Sequence, residues 1–193
     1  MIVYFPLKTS IDEILVQCTL SGLSGFPKKV LFGGERAGEI SSYVAGWMAG
    51  KGIDVIVLDG ANRFDPYMVS SFAKKALIPP EGLLKRIRIA RAFTCYQMAT
   101  LIGERLPALL RQEGATAQPK KPSVILLGPI TTFLDEDVPE REVRSLIEKS
   151  LRKVEEMATE GTPFLLLQPS PFPLPSCRQA GAKGRTGGLI FFI

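Results

Sequence analysis

Residues 29–40 read KVLFGGERAGEI, a short apolar run that ends in glycine and passes into a helical pattern. Gly33 and Gly38 are separated by four residues, which is the spacing of a loop whose backbone N–H groups surround a phosphate between a strand and a helix. Such a loop needs a lysine after the second glycine, for its positive charge, and then a hydroxyl, for magnesium. This chain has Glu39 and Ile40 at those two positions. The stretch therefore predicts a strand, a glycine-bent loop and a helix, with the residues that bind a triphosphate replaced.

The rest of the chain continues this alternation of apolar strands and amphipathic helices. Continuous apolar runs such as residues 53–60 are typical of strands buried on both faces of a parallel sheet. Apolar residues at steps of three and four, as in residues 140–159, predict helices. We expect a three-layer α/β fold, with helices on both faces of a mostly parallel sheet, in a single domain over residues 1–193. The predicted strands cover residues 29–33, 53–60, 87–90, 123–133, 162–168 and 187–193, and the predicted helices cover about 39–50, 65–77, 94–112 and 140–159.

Two predicted helices carry residues that mark where they begin or break. Asp65 is a natural N-cap for the second helix, because its carboxylate can accept from free N–H groups of the first turn, and Pro66 suits the first helical position. Pro107 lies inside the third helix, predicted from about Thr94 to Gln112. Since proline lacks a backbone N–H and its ring collides with the preceding turn, we expect that helix to kink or split.

The composition excludes several classes of protein. With 46% hydrophobic and 22% charged residues the chain is globular, and its net charge of +5 weakly favours an acidic partner. It contains no histidine, which excludes Ser-His-Asp and Cys-His catalytic systems and most zinc sites. Cys18, Cys95 and Cys177 are far apart and odd in number, which fits free thiols in a reducing cytoplasm. The first ten residues do not resemble a signal peptide, and no run of about 18 apolar residues occurs, so we expect no membrane association.

Residues 85–93, KRIRIARAF, place basic and apolar residues in alternation. On a strand, Arg86 and Arg88 would share one face and Ile87 and Ile89 the other. The segment is either an exposed basic patch or, more often, an edge strand that is protected by its charge.

Six stretches carry a further pattern when they are taken in order. They are GGERAGEI (33–40), VIVLDGANRF (55–64), LLKRIRIARAFTCYQMATLI (83–102), VILLGPITTF (124–133), FLLLQP (164–169) and RTGGLIFFI (185–193). In this order they resemble the RecA-like recombinase core of the P-loop NTPases, over roughly residues 11–193. The first is similar to the Walker A loop, the second to a strand before the catalytic glutamate, and the fourth to the Walker B strand. Their order, rather than any one stretch, carries the resemblance.

The resemblance implies an ATP site from which the chemistry has been lost. ATP hydrolysis needs positive charge at the phosphates, a held magnesium ion and a positioned water. Glu39 and Ile40 stand where the family has its lysine and hydroxyl, and the Walker B strand ends at Gly128 instead of a carboxylate. Asp59 lies one or two positions before the family's general-base glutamate, and Asn62 can orient a water but is a poor proton acceptor. We therefore expect a pseudo-ATPase rather than an enzyme, with no catalytic residue, no metal ion and no cofactor.

Gly33 and Gly38 are what remains of the phosphate loop, and we expect this degenerate loop to be non-functional. Gln168 is similar to a family glutamine that links the nucleotide site to a DNA-binding loop, and without nucleotide we expect it to form structural hydrogen bonds only. The alternative is a nucleotide-binding regulator or weak ATPase, in which Asp59 and basic residues replace the usual set.

In the family that this chain resembles, two loops hold single-stranded DNA. The first corresponds to residues 134–141, where four acidic residues and one arginine would repel phosphates. The second carries Arg178, Lys183 and Arg185 among glycines, and flexible cations of this kind can meet a DNA backbone without reading its sequence. We expect an accessory or scaffold protein of DNA repair or recombination. Its expected partners are single-stranded DNA, a RecA-like or other DNA-repair protein, or a second copy of the chain, and a module unrelated to DNA stays open as an alternative.

Overall fold

The structure is a computed structural model that describes residues 2–4, 28–32, 34–114, 121–134 and 138–169. Within these ranges the chain forms an α/β fold, with a parallel sheet of six strands and helices on both faces. The strands are β1 (Ile2–Tyr4), β2 (Lys28–Phe32), β3 (Val55–Asp59), β4 (Ile87–Arg91), β5 (Ser123–Leu127) and β6 (Phe164–Leu167). The helices are α1 (Ala37–Gly50), α2 (Pro66–Lys75), α3 (Pro80–Leu84), α4 (Cys95–Thr100), α5 (Leu106–Gly114), α6 (Pro129–Phe133) and α7 (Glu140–Thr159). A 3-10 turn (Gly34–Arg36) precedes α1, and a π-helical turn (Leu101–Arg105) joins α4 to α5.

The strands lie in the order β1-β2-β6-β5-β3-β4, and every neighbouring pair is parallel. At the centre, Val57 of β3 is in register with Ile125 of β5 on one side and Ile89 of β4 on the other. The prediction of a parallel sheet is confirmed. β1 is not among the predicted strands, because the run Ile2–Tyr4 is too short for its periodicity to be read.

The direction in which the chain moves across the sheet decides which face each helix covers. From β2 to β3 and on to β4 the chain moves one way, and from β4 to β5 and β6 it moves back. Because parallel crossovers are right-handed, α1, α2 and α3 cover the first face and α4, α5 and α7 the second. Two buried apolar clusters agree with this division: Val44 and Val69 belong to the first, and Met98 and Val154 to the second. The prediction of helices on both faces is therefore confirmed.

The burial pattern distinguishes central from edge strands. Every residue of β3 and of β5 is buried, as expected for strands covered on both faces. In β4, Ile87 is buried whereas Arg88 and Ile89 are exposed. β4 is the outermost strand on its side of the described sheet, so the interpretation of the basic segment as an edge strand is confirmed.

The predicted start of α2 is confirmed. Pro66 is its first residue, and the Asp65 carboxylate accepts a hydrogen bond from the Tyr67 N–H at 2.8 Å. The long helix predicted over residues 140–159 is α7, with the same bounds. Both helices have strong local signals, a cap in one and twenty residues of regular apolar spacing in the other.

The prediction of a single strand over residues 123–133 is wrong in its second half. β5 ends at Leu127, and Gly128 then adopts a left-handed conformation with φ of 61°. Pro129 begins the short helix α6, since its fixed φ suits a first helical turn and its missing N–H cannot continue a sheet ladder. The Gly-Pro pair at which the strand ends is visible in the sequence, but apolar residues continue on both sides of it and make the whole stretch resemble one strand.

The predicted break near Pro107 is confirmed and takes a specific form. The break lies in the π-helical turn just before the proline, where the Leu106 N–H donates to the Leu101 carbonyl five residues back. Pro107 is the second residue of α5, where the missing proline N–H costs little. The helix thus absorbs the proline by widening one turn.

In the part of the chain that the structure describes, none of the helices has both the length and the apolar character that crossing a membrane requires. The closing strand predicted over residues 187–193 lies outside the described residues.

Candidate functional site

The candidate site is the edge of the sheet at which β2, β6, β5 and β3 have their carboxyl ends. Ligands of open α/β sheets bind in the crevice beyond this edge, so the segments that follow these strands decide what can bind. Those segments are the first turn of α1, the loop of residues 60–65, the helix α6 and the residue Gln168. We call this region the carboxyl edge.

At the first turn of α1, a carboxylate occupies the end of the helix that attracts anions. Glu39 is the third residue of α1, and its carboxylate accepts a hydrogen bond from Arg36 Nε at 3.0 Å. Both side chains are about half exposed, at 52% and 44%. A helix N-terminus favours negative charge, and Glu39 already supplies that charge. Arg36, a cation that could approach a phosphate here, is engaged by the same carboxylate.

Gly38 is fixed by packing against the loop after β3. A Cβ added at Gly38 would lie 2.4 Å from the carbonyl oxygen of Arg63 and 2.8 Å from its Cβ, so no larger residue fits without a backbone shift. The loop of residues 60–65 therefore lies directly against the start of α1. This close approach accounts for a glycine at this position without any phosphate.

Two buried serines strengthen the same junction. Ser41 and Ser42 each donate a hydrogen bond from their hydroxyl to the Gly38 carbonyl at 2.8 Å. The Ser42 hydroxyl in turn accepts one from the backbone N–H of Asp65 at 2.9 Å. The polar groups between α1 and the loop are thus satisfied by each other.

Asp59 is the last residue of β3 and is completely buried. Its carboxylate accepts hydrogen bonds from the backbone N–H groups of Arg63, at 3.2 Å, and Phe64, at 3.0 Å. It also forms an ion pair with Arg91 Nε at 3.6 Å. Arg91 donates a further hydrogen bond to the Phe64 carbonyl at 3.4 Å. A general base needs an accessible lone pair directed at its substrate. This carboxylate is instead bonded to the loop that follows β3 and to Arg91.

The carboxyl end of β5 also leaves no room for a functional side chain. A Cβ added at Gly128 would lie 2.5 Å from the Cβ of Ala61, and its φ of 61° disfavours other residues. A carboxylate side chain at this position is therefore incompatible with the backbone. Gln168, after β6, is buried and accepts from the Ile130 N–H at 3.1 Å while it donates to the Thr131 hydroxyl at 3.1 Å. As expected, Gln168 forms structural hydrogen bonds, here to the start of α6.

The structure brings some of the predicted site residues together and leaves others outside its description. Gly38 and Asp59 both contact Arg63, which lies in the 60–65 loop. Asn62, in that loop, is exposed and has a positive φ of 52°, which asparagine tolerates. Gly33, the acidic residues 135–137 and the proposed DNA-binding residues Arg178, Lys183 and Arg185 lie outside the described residues.

The partnership of Asp59 with Arg91 is the feature that sequence reasoning missed. Asp59 is the last residue of β3 and Arg91 is the last residue of β4, and the two are paired in the register of these parallel strands. An acidic residue at the end of one apolar run and a basic residue at the end of another could have predicted this ion pair. That prediction requires knowing that β3 and β4 are neighbours in the sheet. Arg86, in the same basic segment, instead pairs with Asp54 at 2.9 Å.

Among the residues that the structure describes, no three histidine, cysteine, aspartate or glutamate side chains come together in a way that could hold a metal ion. Comparison of the sequence with known protein families gives no match, and comparison with curated proteins gives none either.

Proposed function

We propose that this chain is a catalytically inactive RecA-like protein that acts in DNA repair or recombination through contacts with protein or single-stranded DNA. The proposal starts from the order of the six sequence stretches that resemble the RecA-like core. The strand order 1-2-6-5-3-4 differs from the common dinucleotide-binding order 3-2-1-4-5-6 and from the flavodoxin-like order 2-1-3-4-5, which argues against those two alternatives.

The observation that carries the inactive part of the proposal is the position of Glu39. A carboxylate about 4 Å from a unit of phosphate charge costs on the order of 4 kcal/mol at an effective dielectric constant near 20. Solvent screening lowers this figure, because about half of the Glu39 side chain is exposed, yet half of it still exceeds a tenfold loss of affinity. The lysine that would attract the triphosphate is missing as well.

The other two catalytic requirements fail for geometric reasons. Gly128 stands where the Walker B carboxylate is expected, in a backbone conformation and at a packing distance that exclude one. Asp59, the substitute base of the alternative hypothesis, is buried and bonded to two N–H groups and to Arg91. These contacts favour a binding protein over a weak ATPase.

The DNA-binding part of the proposal depends on Arg178, Lys183 and Arg185. Cations on a glycine-rich segment bind phosphates through charge, so the affinity for single-stranded DNA should fall steeply as salt is raised. By binding a protein partner instead, either another repair protein or a second copy of itself, the chain would act as a scaffold in the cytoplasm.

Equilibrium dialysis with labelled ATP and magnesium tests the nucleotide prediction. We expect no binding tighter than about 100 µM by the natural chain. Replacing the carboxylate with a cation in Glu39→Lys should strengthen whatever binding exists, because it reverses the charge at the helix N-terminus. Tight magnesium-dependent binding by the natural chain would favour the nucleotide-binding regulator instead.

Fluorescence anisotropy with labelled single-stranded DNA tests the DNA prediction. A triple alanine variant of Arg178, Lys183 and Arg185 should lose most of the salt-dependent affinity. The matched control removes three exposed cations from the first face, in the triple alanine variant of Lys74, Lys75 and Lys85. Equal loss in both variants would show nonspecific attraction to a basic protein, and an absence of binding by the natural chain would leave protein contacts as its function.

A further inference from the structure

A groove of about 430 Å³ lies on the second face of the sheet, between α4 with its π-helical turn and α7. Its size falls within the range of roughly 300–1,000 Å³ that is usual for small-molecule sites. Tyr96, Ala99 and Leu146 form the apolar part of its lining. None of the segments that define the carboxyl edge contributes a described residue to the lining of this α4–α7 groove.

Ser150 lines the groove and is 5% exposed. Its Oγ is a buried side-chain oxygen with no hydrogen-bond partner among the described residues. A helical serine usually bonds to the carbonyl four residues back, and buried polar groups are almost always paired. The Oγ atom is itself covered, so the hydroxyl bonds to a group in the groove only when the Ser150 side chain turns toward the groove.

The opposite wall of the groove is built from the π-helical turn. Gly103 lies in this turn, and a Cβ added there would meet no atom within 4 Å. At Gly103 the turn that precedes Pro107 therefore adds no side chain to the groove wall. Single π-helical turns occur frequently at functional sites, where they reshape one side of a helix.

The charge around the groove is positive. Among the described residues that line it, Lys149, Arg152 and Lys153 are cationic and Glu104 alone is anionic. Lys153 is partly neutralised by Glu156 at 2.5 Å. The remaining excess favours a ligand that carries negative charge.

We propose that the α4–α7 groove binds a small organic anion with an apolar body, such as an aromatic or branched aliphatic carboxylate, phosphate or sulfonate. The apolar body contacts Tyr96 and Leu146. The anionic group lies near the cations of Lys149 and Arg152, and the Ser150 side chain turns toward the groove to donate its unused hydroxyl. This site is independent of the proposed role of the carboxyl edge.

Titration with 8-anilinonaphthalene-1-sulfonate, a fluorescent aromatic sulfonate, tests the proposal. We expect saturable binding at one site on the folded chain. Ser150→Ala and Lys149→Glu should each weaken it about tenfold, because each removes one contact with the anion. Lys75→Glu makes the same charge change on the first face and should leave the affinity unchanged.

A filling variant and a competitor complete the test. Ala99→Trp places an indole in the groove and should abolish the saturable signal, with circular dichroism used to verify that each variant is folded. Benzenesulfonate should displace the probe far better than inorganic sulfate, since the apolar body contributes to binding. Equal displacement by inorganic sulfate, unsaturable fluorescence, or the same affinity in Lys149→Glu and Ala99→Trp as in the natural chain would overturn the proposal.

Discussion

Ser42 and Ser150 are both buried serines on helices, yet one is fully bonded and the other is not. Ser42, on α1, is 0% exposed, donates to the Gly38 carbonyl and accepts from the Asp65 N–H. Ser150, on α7, is 5% exposed and its hydroxyl has no partner among the described residues. The first serine belongs to the carboxyl edge, where the sequence suggests a ligand site. The second lines the α4–α7 groove, where the sequence suggests none.

The difference teaches that a polar residue in the expected place does not by itself make a site. At the carboxyl edge, Glu39 is bonded to Arg36, Asp59 to Arg91, and Gln168 to the start of α6. These groups are used within the fold and have little left for a substrate. At the groove, the buried Ser150 hydroxyl has no partner among the described residues, and the described lining carries an excess of positive charge. If the carboxyl edge is structural and the groove is not, substitutions at the edge should destabilise the fold, whereas Ser150→Ala should not.

The largest effect is expected for Asp59→Ala. The substitution removes the acceptor of the Arg63 and Phe64 N–H groups and leaves Arg91 without its ion-pair partner. Arg91 is 44% exposed and can be solvated, so most of the loss comes from the two N–H groups, at about 1–3 kcal/mol each. The free energy of unfolding from urea denaturation should therefore fall by roughly 2–6 kcal/mol.

The matched control is Asp54→Ala, which breaks an ion pair with Arg86 in which both side chains are about half exposed. Exposed pairs contribute up to about 1 kcal/mol, so this variant should stay close to the natural chain. If Asp59→Ala were as mild as its control, Asp59 would be free of a structural role, and its use as a catalytic base would return as a hypothesis.

A smaller loss is expected for Gly38→Ala. The new methyl group would lie 2.4 Å from the Arg63 carbonyl oxygen, and moving that backbone typically costs about 1–3 kcal/mol. Gly82→Ala is the control, because an added Cβ there meets no atom within 4 Å and alanine is the better helix former. Differential scanning calorimetry should show a lower Tm for the first variant and an equal or higher one for the second. Two equally stable variants would refute the packing explanation of Gly38.

Ser42→Ala should cost about 1–2 kcal/mol. The Gly38 carbonyl keeps its bond from Ser41, but the Asp65 N–H loses its acceptor at the start of α2. Urea denaturation measures the loss. No loss at all would mean that water replaces the hydroxyl at this junction, and that the carboxyl edge is less closed than its hydrogen bonds indicate.

How well the sequence predicted the fold depended on how local each signal was. The bounds of α7 and the cap of α2 were predicted correctly because they depend on apolar spacing and on one Asp-Pro pair. The end of β5 was not, because the apolar run continues past Gly128 into α6. The break before Pro107 was predicted, but its π-helical form depends on which carbonyl the Leu106 N–H can reach.

The site was harder to predict than the fold, because its contacts join distant parts of the chain. The replacements at Glu39 and Gly128 are visible in the sequence, and they gave the expectation of lost chemistry. The burial of Asp59 and its bond to Arg91 depend on the order of the strands. The α4–α7 groove depends on how two helices, one ending at Thr100 and the other beginning at Glu140, lie on one face, and no motif in either of them marks it.

The smallest effect, and the one that most directly tests the comparison, is expected for Ser150→Ala. Removing an unbonded buried hydroxyl takes away an unfavourable group, so the free energy of unfolding should rise by up to about 1 kcal/mol, opposite in sign to Ser42→Ala. Part of any gain reflects the higher helix propensity of alanine, and Ser145→Ala, at a half-buried position of α7, measures that part alone. A gain in Ser150→Ala beyond that of Ser145→Ala is expected from chemical denaturation without ligand. A loss would show that the Ser150 hydroxyl is bonded in the free protein, and the two serines would then be alike.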